Sequence, residues 1–320
     1  MFVEKKIING KAYYYLKHSF RSGDKVKTKT LAYIGDEENK KKIEELKRLF
    51  DKNKLAKIKE DLFEEKDWNV LLSENDKEKI EEIKKQFSFK LKKLNEKTKK
   101  DMFDDFLTYF IYNTNAIEGN TLTLKETDLL LNKGITPQGR TLREINDHLN
   151  SRNVFYYLIE ENPQINNDTV ILIHDKLMNN IDERRGFRNS NVRVIGARFK
   201  SSPFQYIQID MNLLLRWYSK NKNRLHPVIL VSLFHHKFER IHPFYDGNGR
   251  TGRMLMNIMF LKNNLPPMIL SNKQRKKYYE VLSKADKTGL TEITDDYRPL
   301  LKFISTQILK TWNTIFKQWN

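Results

Sequence analysis

The chain of 320 residues contains no cysteine. That excludes disulfides, thiolate metal sites and a cysteine nucleophile, and it agrees with a reducing compartment. Any chemistry here falls to oxygen and nitrogen groups. No apolar run approaches the ~18 residues of a membrane span. Met1-Phe2-Val3 leads straight into Glu4-Lys5-Lys6 without a signal-peptide layout. A cytoplasmic protein with no membrane partner is therefore expected. Internal repeats and low-complexity tracts are missing, as are the G-x-x-x-x-G-K-[ST] phosphate loop, the kinase H-R-D and D-F-G set and the zinc pattern H-E-x-x-H, although His235, His236 and His242 lie close together.

The chain does carry a large positive charge, +18 at neutral pH. Nucleic acid, an acidic protein and a polyanionic small molecule such as a nucleotide are the partners such a charge suits. Much of the lysine nevertheless alternates with glutamate, as in "EENKKKIEELKRLFDKNKLAKIKEDLFEEK". There it reads first as a solvated helix face with i,i+4 pairs.

Residues 1–36 read as a small antiparallel β module, with "FVEKKII", an Asn9-Gly10 turn, "KAYYYLKHSF", a turn at "SGDK" and "VKTKTLAYIG". Residues 37–72 read as a charged helical connector, with Ile43, Leu46, Leu49 and Phe50 at helical spacing. Residues 73–320 read as a mainly α body. Its first helix carries the stripe Ile80, Ile83, Phe87, Leu91 and Leu94, and a second spans "KKDMFDDFLTYFIYNTNAIEGN" and stops at Gly119-Asn120. A third begins after Thr123 with Glu126 completing a capping box. Further helices fit 141–160, 168–181, 209–220, 227–240 with Pro227 in its first turn, 273–285 and 299–319. The segment "RRGFRNSNVRVIGARFKSSP" breaks the helical rhythm and suggests a short hairpin, whereas "TGRMLMNIMFLKNN" is apolar on nearly every side and should be a central buried helix.

Between the helix over 227–240 and that buried helix lies "FERIHPFYDGNGRTGRMLM". A tight loop feeding a helix N-terminus favours an anion. Gly247 and Gly249 can take positive φ and let successive N–H groups converge, while the helix end adds partial positive charge. Arg250 and Arg253, three apart, share a helical face and offer forked donors to phosphate, and Asn248 adds a neutral donor. Asp246 would repel a bare phosphate but could hold Mg²⁺ bridging a di- or triphosphate. His242, ahead of Pro243-Phe244, is a candidate general base. Nucleotidyl and phosphoryl transfer both fit these residues. Each element alone has a plainer explanation, since a Gly-Asn-Gly is usually a turn and two helical arginines usually face water. Their conjunction in one short stretch is what points to a site.

The run "HPFYDGNGRTGR" matches the signature of Fic proteins throughout, and with "RRGFR…VRVIGARF" and "FHHKFERIHPF" in the family's order the resemblance covers roughly residues 75–310. It implies a helical Fic-fold bundle that transfers AMP from Mg²⁺-ATP to a Ser, Thr or Tyr hydroxyl of a target protein and releases pyrophosphate. Position by position, the resemblance makes His242 the base and Asp246 the Mg²⁺ ligand. Gly247, Asn248 and Gly249 become the phosphate nest, Arg250 a phosphate contact and loop organiser, and Arg253 the partner of the terminal phosphate. Val192, Arg193, Val194, Ile195 and Gly196 correspond to a flap that holds a target segment by β-strand addition.

"TNAIEGN" is similar to the family's inhibitory motif. Thr114 and Glu118 share a face at i,i+4 and Gly119 ends the turn. The resemblance then pairs Glu118 with Arg253 in a bidentate contact that displaces the terminal phosphate. Tyr278 and Tyr279 are candidates for an adenine wall. Two alternatives stand beside adenylylation. In one, Glu118 positions water and the same site removes AMP. In the other, the β module supplies a DNA-associated or interaction role through Tyr13-Tyr14-Tyr15 and its lysines, and it resembles small strand modules at the N-termini of some mobile-element proteins. Candidate partners are thus ATP, a hydroxyl-bearing target protein, nucleic acid and a second copy of the chain.

Overall fold

In the computed structural model the described residues are 1–8, 10–22, 25–40, 42–44, 67–193, 199, 201–288 and 293–319. The N-terminal alternation forms strands β1 (Phe2–Ile8), β2 (Lys11–Ser22) and β3 (Lys25–Gly35), an antiparallel meander in the order β1-β2-β3. Gly10 turns the first hairpin at φ +77°, a conformation that glycine adopts without steric cost. Tyr13 lies opposite Lys6, and Tyr15 lies opposite both Glu4 and Tyr33. Leu16, Leu31, Ala32 and Ile34 close one face against Ile209 of the helical body.

That body contains α1 (Glu74–Lys93), α2 (Glu96–Ile117), α3 (Leu124–Lys133), α4 (Leu142–Glu161), α5 (Asn167–Leu177), α6 (Ile207–Asn221), α7 (Pro227–Ile241), α8 (Asn248–Lys262), α9 (Arg275–Ala285) and α10 (Arg298–Thr311). The observed architecture is therefore mainly α with a small antiparallel sheet at the N-terminus. Ser73, Asn95, Thr123, Thr141 and Asn166 cap their helices through side-chain oxygens. The box of Thr123 with Glu126 is repeated by Thr141 with Glu144. Each such cap contributes about 1 kcal/mol.

The centre of the fold is the antiparallel pair α7 and α8, in which Pro227 to Phe238 and Thr251 to Phe260 are buried throughout. At about 1.5–3 kcal/mol for each large apolar side chain, this pair anchors the loop between its members more firmly than a surface turn could be held.

Some boundaries differ from the sequence pattern. Leu71 and Leu72 are buried in the main core, so the helical body begins ahead of Ser73. Asn69 accepts from the His226 N–H and donates to the Arg224 carbonyl, which ties this entry to the start of α7. The helix expected over 168–181 ends at Leu177, and Asn180 turns the chain at φ +57°. The last helix ends in a wider π turn over Trp312–Phe316. Most of the expected connector helix, from residue 45 to 66, lies outside the described residues. Among the described residues no helix is long and apolar enough to cross a membrane.

Candidate active site

His242 ends α7 in the left-handed region, at φ +52°, where a non-glycine residue is strained. Arg188 holds it there. This buried guanidinium donates through Nε to the His242 carbonyl at 2.8 Å and through Nη1 to Ser190 O at 2.7 Å, while the Arg188 N–H donates to Pro243 O at 2.9 Å. The His242 Nδ1 faces the Glu239 carbonyl at 3.3 Å, and because a carbonyl only accepts, that nitrogen carries the proton. Nε2 is left as the acceptor. Burial lowers the imidazole to about 4, with Arg188 acting in the same direction against the Glu239 carbonyl. The ring is therefore neutral at physiological pH.

The loop after His242 is fixed by its own members. Phe244 N–H donates to Asn248 Oδ1 and Asn248 Nδ2 donates to Phe244 O, both at 2.9 Å. Phe244 stacks on His174, with ring centroids 3.7 Å apart and planes at 4°, and His174 Nε2 donates to the Asp246 carbonyl at 3.1 Å. Gly247 sits at φ +74°, and a Cβ there would come within 2.7 Å of Met178 Sδ. Tyr245 reaches outward, with its hydroxyl 3.0 Å from Ser190 Oγ and within reach of Asn189, so it ties the loop to the root of the expected flap.

From Asn248 the chain enters α8, whose first intrahelical bond runs from Thr251 N–H to Gly247 O at 2.9 Å. The preceding N–H groups have no intrahelical acceptor and face the helix end, as an anion site requires. The side chains of Asn248 and Arg250 are both engaged within the protein. The Asn248 amide is buried and committed to Phe244, which leaves only its backbone N–H at the helix end. Arg250 is buried as well, with its guanidinium on Asp147, against Met178 Sδ at 3.4 Å and 3.7 Å from Asp246. These contacts tie it into the loop, and its Nε has no hydrogen-bond partner among the described residues.

Arg253 is 1% exposed and occupies the inner end of the site. Its Nη2 donates to Glu118 Oε1 at 2.7 Å and to Thr114 O at 3.0 Å, while Nε donates to Thr114 Oγ1 at 2.7 Å. The pairing expected from "TNAIEGN" is thus present geometrically, but as one hydrogen bond to the carboxylate and two to Thr114, not as a bidentate fork. Burial opposes the guanidinium's charge, yet the Glu118 carboxylate outweighs it and raises its pKa. Glu118 caps α2, and Gly119 follows at φ +98°. A Cβ on Gly249 would stand 2.3 Å from Glu118 Oε1, so the carboxylate lies directly over the start of α8.

Asp246 stands at the outer edge. Its Oδ1 accepts from the Gly247 N–H at 2.6 Å and its Oδ2 from Arg143. Burial works against its ionisation, but Arg250, the Gly247 N–H and Arg143 together hold the carboxyl below its usual range. Its side chain is 41% exposed. Among the described residues no group of three acidic or histidine side chains could hold a metal ion by itself. A single hard carboxylate at the mouth of an anion site still fits Mg²⁺, which takes one or two protein carboxylates and completes its shell with water and substrate phosphates.

Glu118, His242, Gly249 and Arg253 open onto one cavity of about 1020 Å³, which is also lined by Tyr278 and Tyr279 and by Arg275, Lys276, Lys284 and Lys287. These cations suit a polyanion and were not apparent from sequence, since lysine is common throughout. The two tyrosines divide their work. Tyr278 is 1% exposed, with its hydroxyl 2.6 Å from His235 Nε2, whereas Tyr279 is 43% exposed and presents its ring. His236 bonds Tyr297 and Asp286, so the three histidines of this region do not converge. Glu239 lies against Gly252, its Oε1 has no hydrogen-bond partner among the described residues, and burial raises its carboxyl to about 7. Of the flap, Val192 is half-buried and Arg193 exposed, while Val194, Ile195 and Gly196 lie outside the described residues.

Comparison with known proteins is consistent with this geometry. Residues 164–260 match the Fic/DOC family, and residues 3–63 match the N-terminal domain of IS1634 family transposases. The chain is 32% identical over 200 residues to a protein adenylyltransferase Fic of Nematostella vectensis, covering 61% of this chain and 45% of that protein. It is 33% identical over 207 residues to the protein of the same name from Drosophila melanogaster, covering 63% and 40%. The chain thus spans less than half the length of the curated relatives it matches. A Fic domain containing signaling protein from Bacteroides thetaiotaomicron superposes with a TM-score of 0.65 at 25% identity, over 73% of this chain and 96% of that one. Fic-1 from Caenorhabditis elegans superposes with a TM-score of 0.63 at 22% identity, over 86% of each chain. Residues 164–260 are therefore a Fic domain of the Fic/DOC family, set within a longer helical fold shared with solved Fic proteins.

Proposed function

We propose that the protein is an adenylyltransferase that moves AMP from ATP to a hydroxyl side chain of a target protein, and that Glu118 restrains it. One observation carries this reading. A neutral histidine and a buried arginine open onto the same cavity across the N-terminus of α8, and the arginine is occupied by the protein's own carboxylate, 2.7 Å away. The relatives named as protein adenylyltransferases support the choice of transfer.

In this reading His242 Nε2 takes the proton of the target hydroxyl. The hydroxyl oxygen forms a bond to the α-phosphorus, the bond from that phosphorus to its bridging oxygen breaks, and pyrophosphate leaves. The N–H groups at the start of α8 receive charge that builds on the phosphoryl oxygens. Arg253, once released by Glu118, holds the terminal phosphate, and Tyr279 offers its ring to the base. Asp246 would hold Mg²⁺, which when bound supplies neutralisation of the phosphates. Incubation with ATP labelled on the α-phosphate should label protein and γ-labelled ATP should not. Transfer of γ-label alone would replace this reading with a kinase.

A second reading concerns the β module. The match of residues 3–63 to a transposase N-terminal domain favours a nucleic-acid partner for it, separate from the transferase site. Salt-dependent retention of the full chain on immobilised nucleic acid tests this, and absence of retention at low salt removes it.

A further inference from the structure

The two faces of the N-terminal sheet differ. Leu16, Ala32 and Ile34 close one of them against Ile209, with Leu213 packed alongside. Alternation turns Tyr13 and Tyr15 of β2 to the other face, together with Tyr33 of β3. The Tyr33 ring lies 5.4 Å from that of Tyr15 and 6.3 Å from that of Tyr13, centroid to centroid, and Tyr33 is 49% exposed. These three rings form a continuous patch. Lys6 stands over the Tyr15 ring at 5.8 Å, Lys11 is exposed one pleat from Tyr13, and the hydroxyls of Ser19 and Thr28 continue the face. Glu4, an acid on this face, is matched by Lys17 at 2.7 Å and Lys6 at 3.7 Å. Residues 1–36 hold eight lysines and arginines against three acids.

Resting on the reading that this module engages nucleic acid, we infer that its tyrosine face is a stacking platform for single-stranded nucleic acid. Bases lie on Tyr13, Tyr15 and Tyr33, and the phosphate backbone follows Lys6 and Lys11. Duplexes bury the faces of their bases, so exposed aromatic rings gain most from unstacked ones, and the contact is tolerant of sequence because every base has a π face. Among the described residues the helical body closes the opposite face, which leaves this one to meet the ligand.

The test is fluorescence anisotropy of the full chain with a labelled mixed-sequence single strand and with its duplex, at low and at physiological salt. The single strand should bind about tenfold or more tightly than the duplex. Tyr33→Ala and Tyr15→Ala should each weaken single-strand binding roughly five- to a hundredfold. Lys6→Gln with Lys11→Gln should flatten the salt slope by about 1–2. Tyr33→Leu keeps apolar bulk at the same position and should also weaken binding, so loss of the fold does not account for the effect. Equal or tighter duplex binding, or tyrosine variants that bind as the parent does, would overturn the stacking platform while the nucleic-acid reading stands. No binding of either form at low salt would overturn both.

Discussion

The Glu118 carboxylate accepts a 2.7 Å hydrogen bond from Arg253, although 135 positions separate the two residues. A carboxylate on this guanidinium and a phosphate on it are alternatives, because both need the same cationic donor beside the same helix end.

Replacing Glu118 by glycine should therefore raise α-label incorporation by an order of magnitude or more, as ATP gains the place the carboxylate held. The same change leaves a buried guanidinium with only Thr114, so the ligand-free variant should lose about 1–3 kcal/mol of stability. Mg²⁺-ATP should restore much of it by binding the folded state. Thermal unfolding with and without nucleotide checks this, and equal labelling of parent and variant would remove the restraint from Glu118.

His242→Ala should reduce transfer by about a hundredfold to ten-thousandfold while nucleotide binding persists. The pH profile is a sharper check. Because burial holds the imidazole at about 4, the base form is already complete well below neutrality. The rate should stay level from pH 8 down to about 5 and fall only toward 4. A descending limb near the ordinary histidine value of about 6.5 would show that another group governs the acid side.

Glu239 gives a pH dependence of the opposite kind. Its carboxyl is raised from 4.5 to about 7, so between those values the folded state keeps a proton that the unfolded state has released. Stability from this group is present below 4.5 and is lost as pH rises through 7. Glu239→Gln should remove that slope, leaving the variant more stable than the parent at pH 8 by about 1–3 kcal/mol. Urea titrations at pH 5 and pH 8 measure the difference, and parallel slopes in the two proteins would refute it.

Arg188 is expected to act through the backbone it holds. Arg188→Lys keeps the charge but cannot fork among the carbonyls of His242, Ser190 and Ser202. The turnover number should fall about tenfold or more with little change in the Michaelis constant for ATP, since the altered element is the turn carrying His242 and not the phosphate floor.

Local signals carried much of the fold. The Thr123–Glu126 box, Pro227 at the first turn of α7 and the apolar run of α8 each act within a few residues, and each marks an element that is present. The loop His242–Arg253 was legible for the same reason, as its glycines and its helix start are neighbours in sequence. What escaped depends on distant partners. The pattern of the loop gave no sign that Arg250 would turn to Asp147, 103 positions away, or that Asn248 would spend its amide on Phe244. Arg188 stood among turn residues with nothing to mark it as the anchor of His242. Tyr278 and Tyr279 looked equivalent, but neighbouring helical residues point about 100° apart, so one is buried on His235 and the other is exposed.

The mutual clasp of Phe244 and Asn248 has a bearing on time. A loop already closed on itself has no folding step to complete when nucleotide arrives, and under the proposed restraint the obstacle is one carboxylate at a helix end beside a glycine at φ +98°. Rotation of a side chain such as Glu118 is a nanosecond event in itself. Under the proposed restraint, the interval between quiescence and action is set by how tightly Arg253 grips Glu118, and not by how slowly a domain moves.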